Sequence, residues 1–459
     1  MSSQDHSRTQ NRPIRVIFVT ITFDPEPGAL RGLPLAKWLA KRGYEVKVLT
    51  AYPQYPGGKL YPKYKMRPWM RETMDGISVL RVPIYPSHDT NPIRRIWTYI
   101  SFMLAASTIG ATLIGDADII YLYEPPPTNG VASLILKHLR GAPIVHHIAD
   151  MWPETVLSSG MLPRHGFALR TANAIIGRFC RFLYRQAAVM SVLSPGFKRL
   201  LVDRGVPEDK IVISYNWADE ELFHPMPRED GLADELGFTG RFNFVYAGNI
   251  GPMQDLDNLV KAAAIVHIKN PRIQVVIIGT GPHERMVKAL AEDVGAHNVR
   301  FIARRDYREM PRINALADVL LVHLKDLPFL AATIPSKTQV SLACGRPVLI
   351  AVRGDAADVV KAAKAGIAVA PGDPKELADA MLRFAGLPQE ELDLMGRRGR
   401  DYYTRELSLD HAGAQMDRIF RALLTPAVSA NGFRNYSPVQ DVPVRANLQS
   451  KRAVADERL

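Results

Sequence analysis

At 459 residues the chain exceeds what a single core usually organises, so two α/β domains of roughly 200 residues each, plus a tail, are the expected division. Its formal charge of +12 implies an acidic partner, whether a nucleotide sugar, an anionic membrane surface or a nucleic acid, and nucleic acid has only the charge in its favour. The two cysteines, Cys180 and Cys344, each lie inside an apolar segment, which excludes a disulfide framework or a cysteine zinc site and suits reduced core thiols in a cytosolic protein.

In chain order, residues 1–13 ("MSSQDHSRTQNRP") are polar, lack the apolar stretch of a signal peptide and are expected to be a flexible lead. A first domain, 14–215, opens on the β-rich run "IRVIFVTITF", the loop "DPEPGALRG", the helical pattern "LPLAKWLAKRG" and the strand "EVKVLT", which together make one βαβ unit. Further strands are expected at "ISVLRV" (77–82), "ADIIYLY" (117–123), "APIVHHI" (142–148), "AAVMSVLS" (187–194) and "KIVISYN" (210–216), alternating with helices in a parallel sheet covered on both faces.

Between them, "IWTYISFMLAASTIGATLI" carries no charge and is long enough to span a bilayer; the arc shared by Thr98, Ser101, Thr108 and Thr112 instead suggests an amphipathic helix lying in the interface. "RTANAIIGRFCRFLYR" (170–185) sets Arg170, Arg178, Arg181 and Arg185 opposite Ile176, Phe179 and Leu183, a pattern open to an ordinary surface helix or to contact with anionic lipid.

The charged, turn-rich stretch 216–240 reads as a linker. The rhythm restarts in a second domain, 241–407, with "FNFVYAGNIG" (242–251), "IQVVIIGTG", "NVRFIA", "DVLLVHL", "PVLIAV" and "IAVAPGD". A helix over 408–424 follows, and 425–459, poor in large apolar residues, is expected to be a disordered tail. Two parallel sheets in tandem place ligand sites at the carboxyl ends of their strands, facing an interdomain cleft.

Neither G-x-G-x-x-G nor a P-loop falls on a strand–helix boundary. Arg31 and the nearby N–H groups could meet a phosphate or solvent equally well, and Gly248 and Gly251 would let backbone approach an anion. In "IPSKTQVSLACGRPV", Pro335 suits a first helical turn, Ser336 or Thr333 can cap, and Lys337 sits at the positive end of the helix dipole, a mismatch that favours a bound diphosphate. His146 and His147 are adjacent on a strand and point to opposite faces, so a metal site with Asp150 and Glu154 is not expected.

Taken together, "FDPEPGALR", "DMWPE", "SPGFKRLLVDRGVPEDKIVISYNWAD", "YAGNIG", "VIIGTGP", "ADVLLVHLKD" and "IPSKTQVSLACGRPVL", spread over residues 14–424, resemble the retaining GT-B fold glycosyltransferases of family 4, closest to the bacterial WbuB-type transferases of surface-polysaccharide assembly. The resemblance implies two Rossmann-like doubly wound domains and a last helix that crosses back to the first. It implies transfer of a sugar, perhaps an N-acetylamino sugar, from a nucleotide diphosphate, usually UDP-linked, to a lipid-linked or glycan acceptor. It also implies retention, no bound metal and no cofactor beyond the donor, with the protein at the inner face of the plasma membrane in contact with anionic lipid. By motif, Gly28 and Arg31 would line the phosphate side, Asp150 and Glu154 the acceptor or reacting sugar, and Gly248, Asn249 and Gln254 the donor. Arg304 would border the base, and Ser336, Lys337 and Thr338 would meet the diphosphate. The family's E-x7-E pair is absent, falling on Ala332 and Val340, so Asp355 with Lys337 is expected to help supply ribose and phosphate recognition. A GT-B nucleotide-sugar epimerase and a non-catalytic scaffold of a glycan-assembly complex are the alternatives.

Overall fold

A computed structural model describes residues 12–27, 30–87, 91–154 and 167–425, with backbone alone at 167–169. The expected lead over residues 1–11, Gly28 and the tail from residue 426 lie outside the described residues.

The first sheet contains β1 (Arg15–Val19), β2 (Glu45–Ala51), β3 (Met70–Met74), β4 (Ile77–Val82), β5 (Ile119–Glu124), β6 (Ile144–Ile148), β7 (Val189–Val192) and β8 (Ile211–Ile213), in the order β3-β4-β2-β1-β5-β6-β7-β8. All neighbours are parallel except β3, which pairs antiparallel with β4. β3 escapes an apolar-run search because three of its five residues, in "MRETM", are polar: it is a partly exposed edge strand, joined to β4 by Asp75 and Gly76, both at positive φ.

Strand alternation splits the packing cleanly. Ile17, Val19, Leu49, Ile120 and Leu122 face one way, beneath the helices Pro92–Ala105, Asn129–Arg140 and Phe167–Gln186. Val16, Phe18, Val48, Ile119 and Tyr121 face the other, beneath Leu33–Ala40 and the last helix, Leu409–Leu424.

The second sheet is wholly parallel: β9 (Phe242–Ala247), β10 (Ile273–Ile278), β11 (Val299–Ile302), β12 (Val319–His323), β13 (Val348–Ala351) and β14 (Gly366–Val369), ordered β11-β10-β9-β12-β13-β14. The stretch between the sheets is more than a tether. Trp217, Ala218, Phe223 and Phe238 are buried in it, and Asp230–Leu236 is helical.

The last helix starts at Ser408, whose hydroxyl caps His411 N–H, and packs Met416, Ile419 and Phe420 against the first domain. Trp38 Nε1 donates to Asp410 Oδ1 at 2.6 Å and Tyr44 OH to Asp417 Oδ1 at 2.7 Å. Gly413 is required there, since a Cβ would fall 2.4 Å from the Trp38 ring. One apolar core therefore runs from Val16 through this helix to Val245 and Val276 of the second sheet.

The uncharged stretch at 96–114 is turned opposite to expectation over its first half. Thr98 is buried and bonds to Arg94 O, while Ser101 Oγ accepts from Tyr85 N–H at 2.8 Å. Ile93, Ile96, Trp97 and Leu104 are exposed, so Thr98 shares the protein-facing side with Phe102 while these four apolar side chains face out. By length and composition Pro92–Leu113 could cross a membrane.

Candidate active site

A cavity of about 540 Å³ opens at the carboxyl ends of β9 and β10, against the start of the helix Ser336–Ala343. The loops after β9 and β10 are zipped together, Gly248 N–H to Ile278 O at 2.9 Å and Ile250 N–H to Thr280 O at 3.0 Å. Their approach is so close that a Cβ on Gly279 would sit 1.9 Å from Gly248 O.

Five expected donor-side residues line this cavity: Gly248, Asn249, Arg304, Ser336 and Lys337. Lys337 lies in the first turn of its helix, its ammonium 5.0 Å over the Tyr246 ring and without a carboxylate partner among the described residues. Burial pushes its pKa below the ordinary lysine range. Gly248 makes room for it, because a Cβ there would fall 2.5 Å from Lys337 Cε and 2.6 Å from Nζ. Pro335 is the N-cap and no side chain caps the helix, so neither Ser336 nor Thr333 acts as the cap expected from sequence. The lining thus combines Lys337, Arg304, Arg305 and an uncapped helix N-terminus with no Asp or Glu, an arrangement suited to a polyanion.

Other expected site residues are placed elsewhere. Arg31 is 1% exposed and committed: Nη2 donates to Ser214 O at 2.6 Å and Tyr215 O at 2.8 Å, and Nε to Asn216 Oδ1 at 3.0 Å. It fastens the loop after β1 to the end of β8 and does not line the cavity. Asp355, 3% exposed, accepts from Gly196 N–H at 2.5 Å and from Arg199 Nη2 at 3.0 Å, so it pins the second domain to a helix start in the first and stands outside the cavity lining. Ser194 Oγ reinforces this junction by donating to Ala332 O at 2.6 Å.

Thr338 is fully buried; Lys337, Val340 and Ser341 form the cavity-facing stripe and Thr338 falls off it by one position. Gln254 stays outside the lining, where Oε1 accepts from Gly251 N–H at 3.1 Å and from Asn249 Nδ2 at 3.3 Å and so shapes the turn that presents Asn249. Glu154 is ion-paired with Arg204.

Asp150, two residues past β6, is half-buried, and burial together with Glu124 raises its pKa above the ordinary carboxylate range. Its carboxylate has no partner among the described residues and lies apart from the cavity lining. The adjacent histidines do face opposite ways: His146 Nε2 pairs with Glu124 Oε2 at 2.6 Å, and His147 Nδ1 with Ser191 Oγ at 2.9 Å beside the Tyr123 ring.

Sequence reasoning missed Phe223, Arg305, Tyr307, Asn314 and Ser341, all on the cavity wall. Phe223 comes from the presumed linker and meets the Tyr307 ring edge-on at 5.1 Å. Its apolar character inside a charged stretch was the available signal.

Residues 31–217 match the model of a glycosyl transferase 4-like domain, and residues 231–402 that of the glycosyl transferases group 1. WcaI of Escherichia coli K12, by name a candidate glycosyl transferase of colanic acid biosynthesis, is 25% identical over 348 residues, 73% of this chain and 83% of that protein. The GDP-mannose-dependent monoacylated alpha-(1-6)-phosphatidylinositol monomannoside mannosyltransferase of Corynebacterium glutamicum is 28% identical over 213 residues, 44% of this chain and 54% of that one. HepE of Anabaena, solved in complex with UDP and glucose, superposes with a TM-score of 0.63 at 16% identity, covering 89% of this chain and 99% of that chain. With one family model on each sheet and this shared architecture, the chain belongs to the glycosyltransferases of the GT-B fold.

Proposed function

We propose that the protein is a retaining, metal-independent glycosyltransferase that moves a sugar from a UDP-sugar to a lipid-linked glycan acceptor in bacterial polysaccharide assembly, working at the inner face of the plasma membrane. The observation that carries this reading is the acid-free cavity in which Lys337, Arg304 and an uncapped helix N-terminus converge. Two names among the similar proteins lend support, one a polysaccharide-pathway protein and the other an enzyme acting on a lipid-linked sugar. UDP in the HepE complex supports the choice of nucleotide.

In the proposed reaction the bond from the anomeric carbon to the β-phosphate oxygen breaks and that oxygen keeps the electron pair. The acceptor hydroxyl oxygen bonds to the anomeric carbon on the same face, and its proton passes to the departing β-phosphate. Charge builds on the diphosphate in the transition state, where the Lys337 ammonium and the helix N–H groups stabilise it most. Asp150, poised with a raised pKa on the acceptor side, holds the acceptor hydroxyl. Calorimetric titration with UDP and with GDP tests the reading: UDP is expected to bind. No heat from either nucleotide would overturn the donor assignment, and tighter binding of GDP would reassign the donor.

A further inference from the structure

Besides Pro195–Asp203, three helices cover one face of the first sheet, and those three share two properties that nothing in the catalytic site explains. Over 92–113, 129–140 and 167–186 they contain no Asp or Glu, yet they carry Arg94, Arg95, Lys137, Arg140, Arg178 and Arg181 among their basic residues. Their outward surface also exposes large apolar side chains: Ile93 at 64%, Trp97 at 55%, Leu104 at 55%, Leu139 at 55%, Ile175 at 62% and Phe182 at 42%. Single exposed apolar residues are ordinary; six on one helical layer, two of them aromatic, are not. On the first helix the inversion is explicit: Thr98 Oγ1 donates to Ser87 O at 3.4 Å and Ser101 Oγ accepts from Tyr85 N–H, while Trp97 and Leu104 are exposed. On the third helix Ile175, Arg178, Phe182 and Arg185 fall on one stripe, and neither Arg178 nor Arg185 forms an ion pair with a described residue.

We infer that this helical layer is the face that lies on an anionic lipid bilayer, with Trp97, Leu104, Ile175 and Phe182 entering the headgroup–acyl boundary and Arg178, Arg181 and Arg185 meeting lipid phosphates. Charge complementarity selects the bilayer: apolar side chains interleaved with Arg178 and Arg185, on helices without a carboxylate, match an interface that offers hydrocarbon beneath a plane of negative charge. The orientation also serves the site. Tyr99, on the first helix, packs edge-on against Trp152 at 6.1 Å, so the loop carrying Asp150 sits directly against the proposed membrane helix. An acceptor anchored in that bilayer would reach Asp150 without leaving it. This last point rests on the proposed function, whereas the docking itself does not.

The test is co-sedimentation of the full chain with phosphatidylglycerol-containing vesicles and with vesicles of phosphatidylcholine alone, with UDP binding read on the same samples. The wild type is expected to pellet with the anionic vesicles and to be released by salt. A Trp97→Ser, Phe182→Ser double variant should lose vesicle binding, and each of Arg178→Gln and Arg181→Gln should lower partitioning about fivefold, all with unchanged UDP binding. Retention of vesicle binding by the double variant, or failure of the wild type to bind anionic vesicles, would overturn the inference. So would a wild-type dimer in sedimentation velocity that Trp97→Ser dissociates, because the face would then be a protein interface. Vesicle binding without UDP binding would remove the donor reading and leave this inference standing.

Discussion

Replacing Lys337 with Met keeps the methylene packing over Tyr246 and removes only the charge. Two unit charges about 4 Å apart at an effective dielectric near 20 attract by about 4 kcal/mol, and a charge-assisted hydrogen bond alone contributes about 1.5–3 kcal/mol. Because the ammonium is already half-buried and unpaired before ligand arrives, little further dehydration offsets that gain. A loss of about 2–4 kcal/mol in transition-state stabilisation corresponds to about 30- to 1,000-fold in kcat/KM.

UDP affinity should fall less, about tenfold, since the ground-state diphosphate carries less charge than the departing one. Stability should move the other way. A base whose pKa is lowered on folding destabilises the protein at pH below its folded-state value, and that penalty is relieved as pH rises through the lowered pKa towards the ordinary lysine value. Lys337→Met should therefore melt at or above the wild-type temperature at pH 7, with the difference shrinking in alkali. Donor-turnover kinetics and thermal melts across pH measure both effects. A variant with kcat/KM within threefold of wild type, or one that melts well below it, would refute the reasoning.

Three further outcomes are expected. Gly248→Ala places a methyl against Lys337 Cε and Nζ at a φ of +153°, where any side chain is strained, so UDP affinity should drop about tenfold by titration, and the loss should persist in a Lys337→Met background, whose side chain fills the same space. Asp150→Asn should remove the acidic limb of the pH–rate profile, which in the wild type lies above the ordinary carboxylate range because ionised Asp150 is lost as pH falls through its raised pKa. The same variant should melt higher than wild type at neutral pH, an advantage that disappears in acid. Asp355→Ala strips a carboxylate from Gly196 N–H and Arg199, leaving a buried donor unsatisfied, and denaturant titration should show a loss of about 1–3 kcal/mol while UDP still binds.

The strand Val348–Ala351 was legible because burial on both faces leaves no polar residue to blur its apolar run. Met70–Met74 was not, although the Asp75–Gly76 pair was a hairpin signal in plain view. At the site, sequence located the loops more reliably than the partners. Gly248, Asn249, Ser336 and Lys337 lie on the cavity because strand–loop–helix punctuation fixes where a loop emerges. Arg31 and Asp355 do not, because what captures them, Ser214 to Asn216 in one case and Gly196 in the other, is more than 150 residues distant in sequence. The helix at 92–113 taught the converse lesson: periodicity gives two faces, and only the contacts of Thr98 with Ser87 O and of Ser101 with Tyr85 N–H decide which one the protein keeps.

The last helix also fixes where the chain can be cut and rejoined. Its sequence follows the second sheet, but Trp38, Tyr44 and Gly413 make its side chains part of the first domain's core. A chimera that exchanges donor domains at the ends of the second sheet would transplant a helix bred for a different partner and bring the Gly413–Trp38 contact out of register. The productive modular unit is interrupted: residues up to about 217 together with 409–424 of one parent, enclosing the intervening domain of the other.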